Sequence, residues 1–357
     1  MKNFLRLLLA FVLLGTALAV SANELAPDPG IRLQPMPTHL YKTPDASKER
    51  TESWAIWLLV ETNTPRDLKV QTAKIQLLSG KDVVRTTDYE GAGARAVTFA
   101  LPFTPKRMDG STSPTPIFWP QQLRIRCTEA AAAKIDGVRV ELMLAEGDKQ
   151  VFAEGVFPVE TYEQKTALIY PFKGPGLITN AGVTNGGHIN RSGQFALDGV
   201  GLNASYGVMN IPDGGKKSED YADWGRPIIA PAAGVIVHVR SDRPDQPDPQ
   251  NSDPKYFAPE ESPRGGDPGN HVVIDHGNGE FSMLAHFQAG SLLVKLGDHV
   301  EQGQPLGKLG SSGDTNTPHS HYQLQSGPDR NWADGLPCKF SNIDQQFLVR
   351  GTFFEAK

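Results

Sequence analysis

The chain has 357 residues, 39% hydrophobic and 21% charged, which is enough length and apolar content for two ordinary domains with packed cores. That balance excludes wholesale disorder. A formal charge of -5 with no long basic run excludes the electrostatic footprint of a nucleic-acid binder.

Lys2 and Arg6 precede an apolar core from Leu7 to Val20, followed by the small residues Ser21 and Ala22. This is the three-part build of a secretory signal peptide, with cleavage expected after Ala22 or Ala19. An uncleaved anchor is the alternative, although the apolar run falls short of the about 20 residues a spanning helix needs. No cysteine stands at the cleavage point, so a lipoprotein signal is not supported. The expectation is an exported protein, periplasmic or secreted, with residues 1–22 removed and no membrane contact afterwards. In such a compartment the pair Cys127 and Cys338 invites a disulfide; two separately buried thiols are the alternative.

Residues 23–50 are rich in Pro and polar side chains and read as a loose or extended lead-in. From Trp54 the texture changes to short runs of period-two character, split by Gly, Asn, Asp and Pro. WAIWLLVETNT, LKVQTAKIQLLSG, VVRTTDYEG, ARAVTFALPF, QLRIRCTE, GVRVELMLAEGD and KQVFAEGVFPVE are the examples. The pattern predicts an antiparallel β-sandwich-like domain over 23–165, interrupted by one short helical stretch from Glu129 to Lys134. It contains no cluster of His, Cys or paired carboxylates. It reads equally well as a positioning or partner-binding module and as a plain cover or scaffold.

A boundary falls near 160–170, and eight of the nine histidines lie beyond residue 180. The second unit, 166–357, is expected to be mainly β as well. ALIYPFKGPG reads as a strand leading into a glycine-rich loop with His188, and FALDGVG follows. GRPIIAPAAGVIVHVRSD reads as a turn and a strand, and PDQPDPQNSDPKYFAPEESPRGGDPG as a surface loop or lid. GNHVVIDHGNGEFSMLAHF predicts a hairpin closed at Gly277-Asn278-Gly279, and SLLVKLGDHVEQGQPLGKLG a second one.

The chemistry concentrates in GSSGDTNTPHSHYQLQSG, residues 310–327. Two histidines one residue apart in a strand, His319 and His321, point to one face, and two imidazoles converging from one face are a natural zinc-site pair. Asp198 follows apolar Phe195 and Leu197, an odd place for a carboxylate unless it is paired or bound to metal. His238 and His271 sit in apolar strands and read as packed and hydrogen-bonded residues. His276, before a turn, and His299, between charged residues, also read as structural.

Together, WGRPIIAPAAGVIVHV, GNHVVIDHGNGEFSMLAHF and GDHVEQGQPLGKLGSSGDTNTPHSHYQLQ resemble the core of the lysostaphin-type (LytM-like) zinc endopeptidases. The similarity covers roughly residues 170–330, in the family's order. The resemblance implies an antiparallel β hydrolase domain of the duplicated hybrid motif type. It implies a Zn2+ ion held by a His and an Asp of an early motif and by the second His of His-x-His. Carried over, Asp198 and His321 are ligands, and His286 and His319 are the histidines that assist the reaction. The sequence departs from the family at the first ligand. Four residues before Asp198 stands Gln194, a poor zinc ligand, and the nearest histidine is His188, ten residues before. Gly186 and Gly187 give the backbone freedom to bring that imidazole back, so His188 is taken as the third ligand.

Two His and one Asp leave a fourth zinc position open for water, the pattern of a catalytic site. Such a metal brings the pKa of water toward about 7 and polarises a scissile carbonyl, while nearby imidazoles move protons. The expectation is a zinc endopeptidase acting on peptide bonds of peptidoglycan, in stem-peptide crosslinks or bridges, which the N-terminal domain could cover intramolecularly. The alternative is a catalytically inactive wall-binding or regulatory module that activates another wall hydrolase. GDHVEQGQPLGKLG is also similar to the hairpins of biotinyl and lipoyl carrier domains. Lys308, however, lies within the second strand and not at an exposed tip, and the signal peptide points to the wrong compartment.

Overall fold

The computed structural model describes residues 25–36, 39–44, 52–53, 57–62, 66–91, 98–100, 117–120, 135–182, 188, 192–210, 216–248, 253–256, 266–331, 333–345 and 348–357. The signal peptide, Cys127 and the Glu129–Lys134 stretch lie outside them. The described elements are nearly all strands, as the alternation predicts. No helix among the described residues is long and apolar enough to cross a membrane.

Up to Glu160 the described residues hold two main sheets, besides the two-stranded pairing of Thr43–Pro44 with Glu52–Ser53. One runs Ile31–Met36, Trp57–Thr62, Ile117–Pro120, Thr98–Ala100; the other runs Leu40–Tyr41, Lys149–Glu160, Gly137–Glu146, Lys69–Ser79, Asp82–Glu90. Leu33 and Val60 of the first sheet share one cluster with Ile75, Leu77, Val138, Val140 and Phe157 of the second, so the two inner faces bury each other. Up to Glu160 the strands Ile31–Met36, Leu40–Tyr41, Thr43–Pro44, Glu52–Ser53 and Ile117–Pro120 were not read from the sequence. Ile31–Met36 lies in the stretch expected to be a loose lead-in, and its pairing with Trp57–Thr62 explains why: Leu33 is buried opposite Val60. Ile117–Pro120 carries a terminal proline and pairs with the Trp57–Thr62 and Thr98–Ala100 strands.

Beyond residue 165 the described residues are organised by a nine-stranded sheet. Its main path runs His299–Val300, Gly234–Arg240, Asn270–Asp275, Phe281–Phe287, Ser320–Gln325, Leu197–Gly201, Gly174–Ala181, Phe353–Ala356. The hairpin at 270–287 forms as predicted, with Gly277 and Gly279 at positive φ, a conformation that glycine alone adopts without steric cost.

Three expectations change. The strand is Gly174–Ala181, not ALIYPF: Leu168, Tyr170 and Phe172 leave the sheet and fill its core, where Tyr170 meets Phe340 and Phe354. Backbone bonds from Ile169 to Pro231 and from Ile229 to Pro171 carry that segment across instead. SLLVKLGDHVEQGQPLGKLG is not a self-paired hairpin. His299–Val300 pairs with Gly234–Arg240, while Pro305–Lys308 pairs with Pro227–Ile229, so its two strands separate beyond the turn at Glu301–Gln304.

The third change concerns the Pro-rich insertion, whose ends are core and not lid. Gln246 and Asp267 are fully buried, and Gln246 Nε2 donates to Gly313 O (2.6 Å) and Thr315 O (3.2 Å). They buttress the loop 311–315 ahead of the His-x-His strand.

His271 is packed as expected, its Nδ1 donating to Gly269 O at 2.8 Å, but the His238 side chain that stacks on it at 4.9 Å faces outward. Burial pushes the His271 ring down to about 3, with smaller contributions from His238, Arg330 and Arg240. A folded value below the unfolded one means that the unfolded chain binds the proton first. The ring's contribution is therefore intact at neutral pH and is lost as pH falls from about 6.5 toward about 3. In unfolding titrations with chelator present, the wild type is expected to lose about 3 kcal/mol more than His271→Asn between about pH 7 and about pH 4. Equal losses in the two proteins would refute this account.

Candidate metal centre

Cross-strand register builds the site. Asp198 pairs with His321 on the next strand, and His321 pairs with Ala285 on the strand beyond, so the three side chains share one sheet face. Residues 319, 321, 323 and 325 lie on that face by the period of two. Leu197, Tyr322, Leu324 and Leu284 point the other way into the core.

His286 belongs by strict alternation to the core side. A register shift between Asn270 and Val272 sets Ala285 and His286 against a single partner residue, and His286 adopts φ 60°. Such a bulge re-aims a side chain, and positive φ at a non-glycine residue is uncommon. The backbone is held there by bonds from His286 N to Pro268 O (3.0 Å) and from Gly310 N to His286 O (2.9 Å). The ring lands 4.6 Å from that of His319 and 5.9 Å from that of His321.

All five residues picked from the sequence come together. His188 Nε2 lies 3.1 Å from Asp198 Oδ2, and His321 Nδ1 lies 3.0 Å from Asp198 Oδ1. His319 Nε2 lies 3.4 Å from Asp198 Oδ1. Asn180 Nδ2 donates to Asp198 Oδ2 at 3.2 Å. His188, Asp198 and His321 each offer a ligand atom, all within 4.8 Å of one another, and among the described residues no other such group of three occurs. Gln194, at the position where the resembled family places its first histidine, is buried but turned to the Gly335 carbonyl (3.5 Å).

Burial would raise the Asp198 carboxyl, but His188 and His319 more than offset it and hold the group well below the usual carboxylate range. Burial would lower His319, yet Asp198 beside it raises the ring above its ordinary value. Burial, with His319 and His321 as neighbours, pushes His286 well below its ordinary value, and burial also lowers His321. The cluster is therefore a buried anion among imidazoles, of which His286 and His321 are pushed toward the neutral form.

Two further rings are fixed by backbone acceptors. His286 Nδ1 donates to Ser312 O (2.8 Å), and His319 Nδ1 donates to Thr317 O (2.8 Å), with Thr315 Oγ1 beside it at 3.0 Å. Each ring thus presents Nε2 as its remaining nitrogen.

The supporting residues Asn180, Ser192, Ser312, Thr315, Gln323 and Gln325 were not picked from the sequence. For Gln323 and Gln325 one signal was present: they continue the alternate spacing of His319 and His321.

The fold and this cluster define a mainly β domain with a His-Asp-His group at metal-ligand spacing. Residues 217–332 match peptidase family M23, so the chain carries an M23 (LytM-type) peptidase domain. The match takes in His286, His319 and His321 and begins after His188 and Asp198.

The chain is 43% identical over 56 residues to the peptidoglycan DD-endopeptidase ShyA of Vibrio cholerae, covering 16% of this chain and 13% of that protein. It is 26% identical over 161 residues to the cell division protein DipM of Caulobacter vibrioides, covering 44% and 22%. The murein hydrolase activator EnvC of Escherichia coli is 37% identical over 54 residues, covering 15% and 12%. Each match spans less than a quarter of the relative's length. Among solved structures, the catalytic domain of the prophage-encoded M23 protein EnpA of Enterococcus faecalis aligns at 21% identity and a TM-score of 0.29. That alignment covers 48% of this chain and 94% of that one.

Proposed function

We propose that this chain is an exported zinc endopeptidase that hydrolyses peptide bonds of bacterial peptidoglycan. The observation that carries the reading is the convergence of His188, Asp198 and His321 within 4.8 Å, with His286 and His319 beside them. The donor set fits zinc. Two imidazoles and one carboxylate are ordinary zinc ligands, and a tetrahedral ion with bonds near 2.0–2.1 Å spaces its ligand atoms roughly 3.3 Å apart. The 3.1 Å separation of His188 Nε2 from Asp198 Oδ2 is near that edge, and one ligand atom from each of the three residues lies within 4.8 Å of the others. A buried carboxylate held as an anion is also what a dication needs opposite it.

His188, Asp198 and His321 would hold the ion, and three protein ligands leave a position open, as in catalytic sites. When bound, zinc supplies Lewis acidity toward a peptide carbonyl and lowers the pKa of water. His286 and His319 keep their Nδ1 hydrogens on backbone carbonyls, so each takes up or hands on a proton at Nε2. Burial of the cluster strengthens every electrostatic contact in it.

Two separate hydrophobic clusters, one ending at Val159 and one beginning at Leu168, support dividing the chain into an accessory unit, 23–165, and a peptidase unit, 166–357. Between them, Glu280 accepts from Tyr162 OH (2.5 Å), Lys165 N (2.8 Å) and Thr166 N (2.8 Å), which ties the connecting segment to the 270–287 hairpin. The N-terminal pattern Lys2–Ala22 supports export.

Residues 23–357 incubated with isolated peptidoglycan sacculi are expected to release fragments with new amino and carboxyl ends, read by mass spectrometry, and a zinc chelator is expected to stop the release. The partial likeness to EnvC, whose name is that of an activator, favours a second reading in which the domain stimulates another hydrolase. Zinc-free protein with no release of its own, but faster release when a wall hydrolase is added, would replace the first reading by the second.

A further inference from the structure

We propose that Gln323 is a positioning residue: its amide oxygen takes the hydrogen of His321 Nε2, which leaves Nδ1, the nitrogen beside Asp198, as the one that holds the ion. This rests on the reading of His321 as a metal ligand, and it follows from the direction of one chain of hydrogen bonds.

The chain is anchored at its far end. Gln325 Nε2 lies 2.6 Å from Gly327 O. A backbone carbonyl only accepts, so the amide orientation of Gln325 is set and its Oε1 is left as an acceptor. That oxygen takes a hydrogen from Gln323 Nε2, which also donates to Ser192 Oγ at 3.0 Å. Both amide hydrogens of Gln323 are then engaged, and Gln323 Oε1 is the atom 3.0 Å from His321 Nε2. An amide oxygen cannot donate, so Nε2 of His321 carries the hydrogen. The other nitrogen, Nδ1, is the one 3.0 Å from Asp198 Oδ1 and within reach of His188.

Reversing the chain would set an oxygen of Gln325 against the Gly327 carbonyl inside the protein. Gln323, Gln325 and Ser192 are all buried, so water does not stand in for a lost partner. The four residues His319, His321, Gln323 and Gln325 share one sheet face, so the strand that presents the imidazoles also carries the device that orients one of them. None of this depends on the titration of the cluster; it depends on which atoms can donate.

The test uses residues 23–357 with two readouts. In zinc-loaded, isotope-labelled protein, long-range proton–nitrogen correlations are expected to place the His321 hydrogen on Nε2, slow to exchange because Gln323 holds it. In Gln323→Leu that protection is expected to be lost. By chelator competition, Gln323→Leu is expected to bind zinc about 10- to 100-fold more weakly than wild type, the range found for loss of an outer-shell partner. Gln323→Glu, which keeps an acceptor toward Nε2, is expected to stay much closer to wild type, so a variant remains informative should the leucine form fold poorly.

Hydrogen on Nδ1 in a wild type that binds zinc would overturn this proposal and leave the metallopeptidase reading standing. So would wild-type affinity in a folded Gln323→Leu, or equal losses in both variants. A wild type with hydrogen on Nε2 that binds no zinc would overturn the metallopeptidase reading while supporting the assignment of the tautomer.

Discussion

Asp198→Asn is expected to weaken zinc binding by at least about 100-fold, since losing a partner one shell further out already costs about 10- to 100-fold. The carboxylate stands at the centre of the cluster, with His188 on one oxygen and His319 and His321 on the other. Asparagine preserves its volume and one acceptor but removes the only negative charge in the group opposite the ion. His188→Ala is expected to lose a comparable amount, because two protein ligands do not hold zinc tightly. Gln194→Ala, at the position where the resembled family places its first histidine, is expected to change affinity little, since that side chain turns to Gly335. Chelator competition on the three purified variants checks this. Normal affinity in His188→Ala together with a large loss in Gln194→Ala would transfer the ligand role to Gln194.

The second large effect belongs to His286. His286→Asn is expected to slow peptidoglycan hydrolysis by about 10²- to 10⁴-fold, the range for loss of a general acid or base, with zinc affinity nearly unchanged. Asparagine is chosen for the backbone. The residue sits at φ 60°, where asparagine is among the better-tolerated side chains, and its amide can still donate to Ser312 O. What asparagine lacks is an equivalent of Nε2 at the edge of the His319 and His321 rings. Sacculus digestion followed by mass spectrometry measures the loss. Activity within a few-fold of wild type, with zinc bound, would remove His286 from the reaction.

The site was legible to different depths. His319 and His321 could be read directly, because alternation in a strand is a local rule that needs no partner to operate. Asp198 was visible as a carboxylate among apolar neighbours, a local conflict that signals a partner elsewhere. His188 was reached only through a resemblance, and its distance of ten residues from Asp198 carries no structural message of its own. The position of His286 had no local signal at all. Alternation along SMLAH points it into the core, and only the bulge against Asn270–Val272, with the bonds to Pro268 and Gly310, turns it toward His319.

The same division runs through the fold. Local patterning was sufficient for the mainly β character, for most strands and for the glycine turn at 277–279, because side-chain period and turn conformation are properties of adjacent residues. Pairing was not readable. The strands of SLLVKLGDHVEQGQPLGKLG part to different neighbours, and the apolar run at Leu168–Phe172 gives up strand geometry to fill the core beneath Gly199. Gln246 and Asp267, drawn from a stretch that reads as solvent-exposed, are buried because Gln246 Nε2 meets the Gly313 and Thr315 carbonyls and the Asp267 carboxylate meets Gly269 N and Arg243. What the sequence determined alone was which residues alternate, turn and conflict. What the tertiary structure decided was which strands meet, since antiparallel register aligns residues far apart in the chain. That register brings the carboxylate of Asp198 and the imidazole of His321, 123 residues apart, to 3.0 Å.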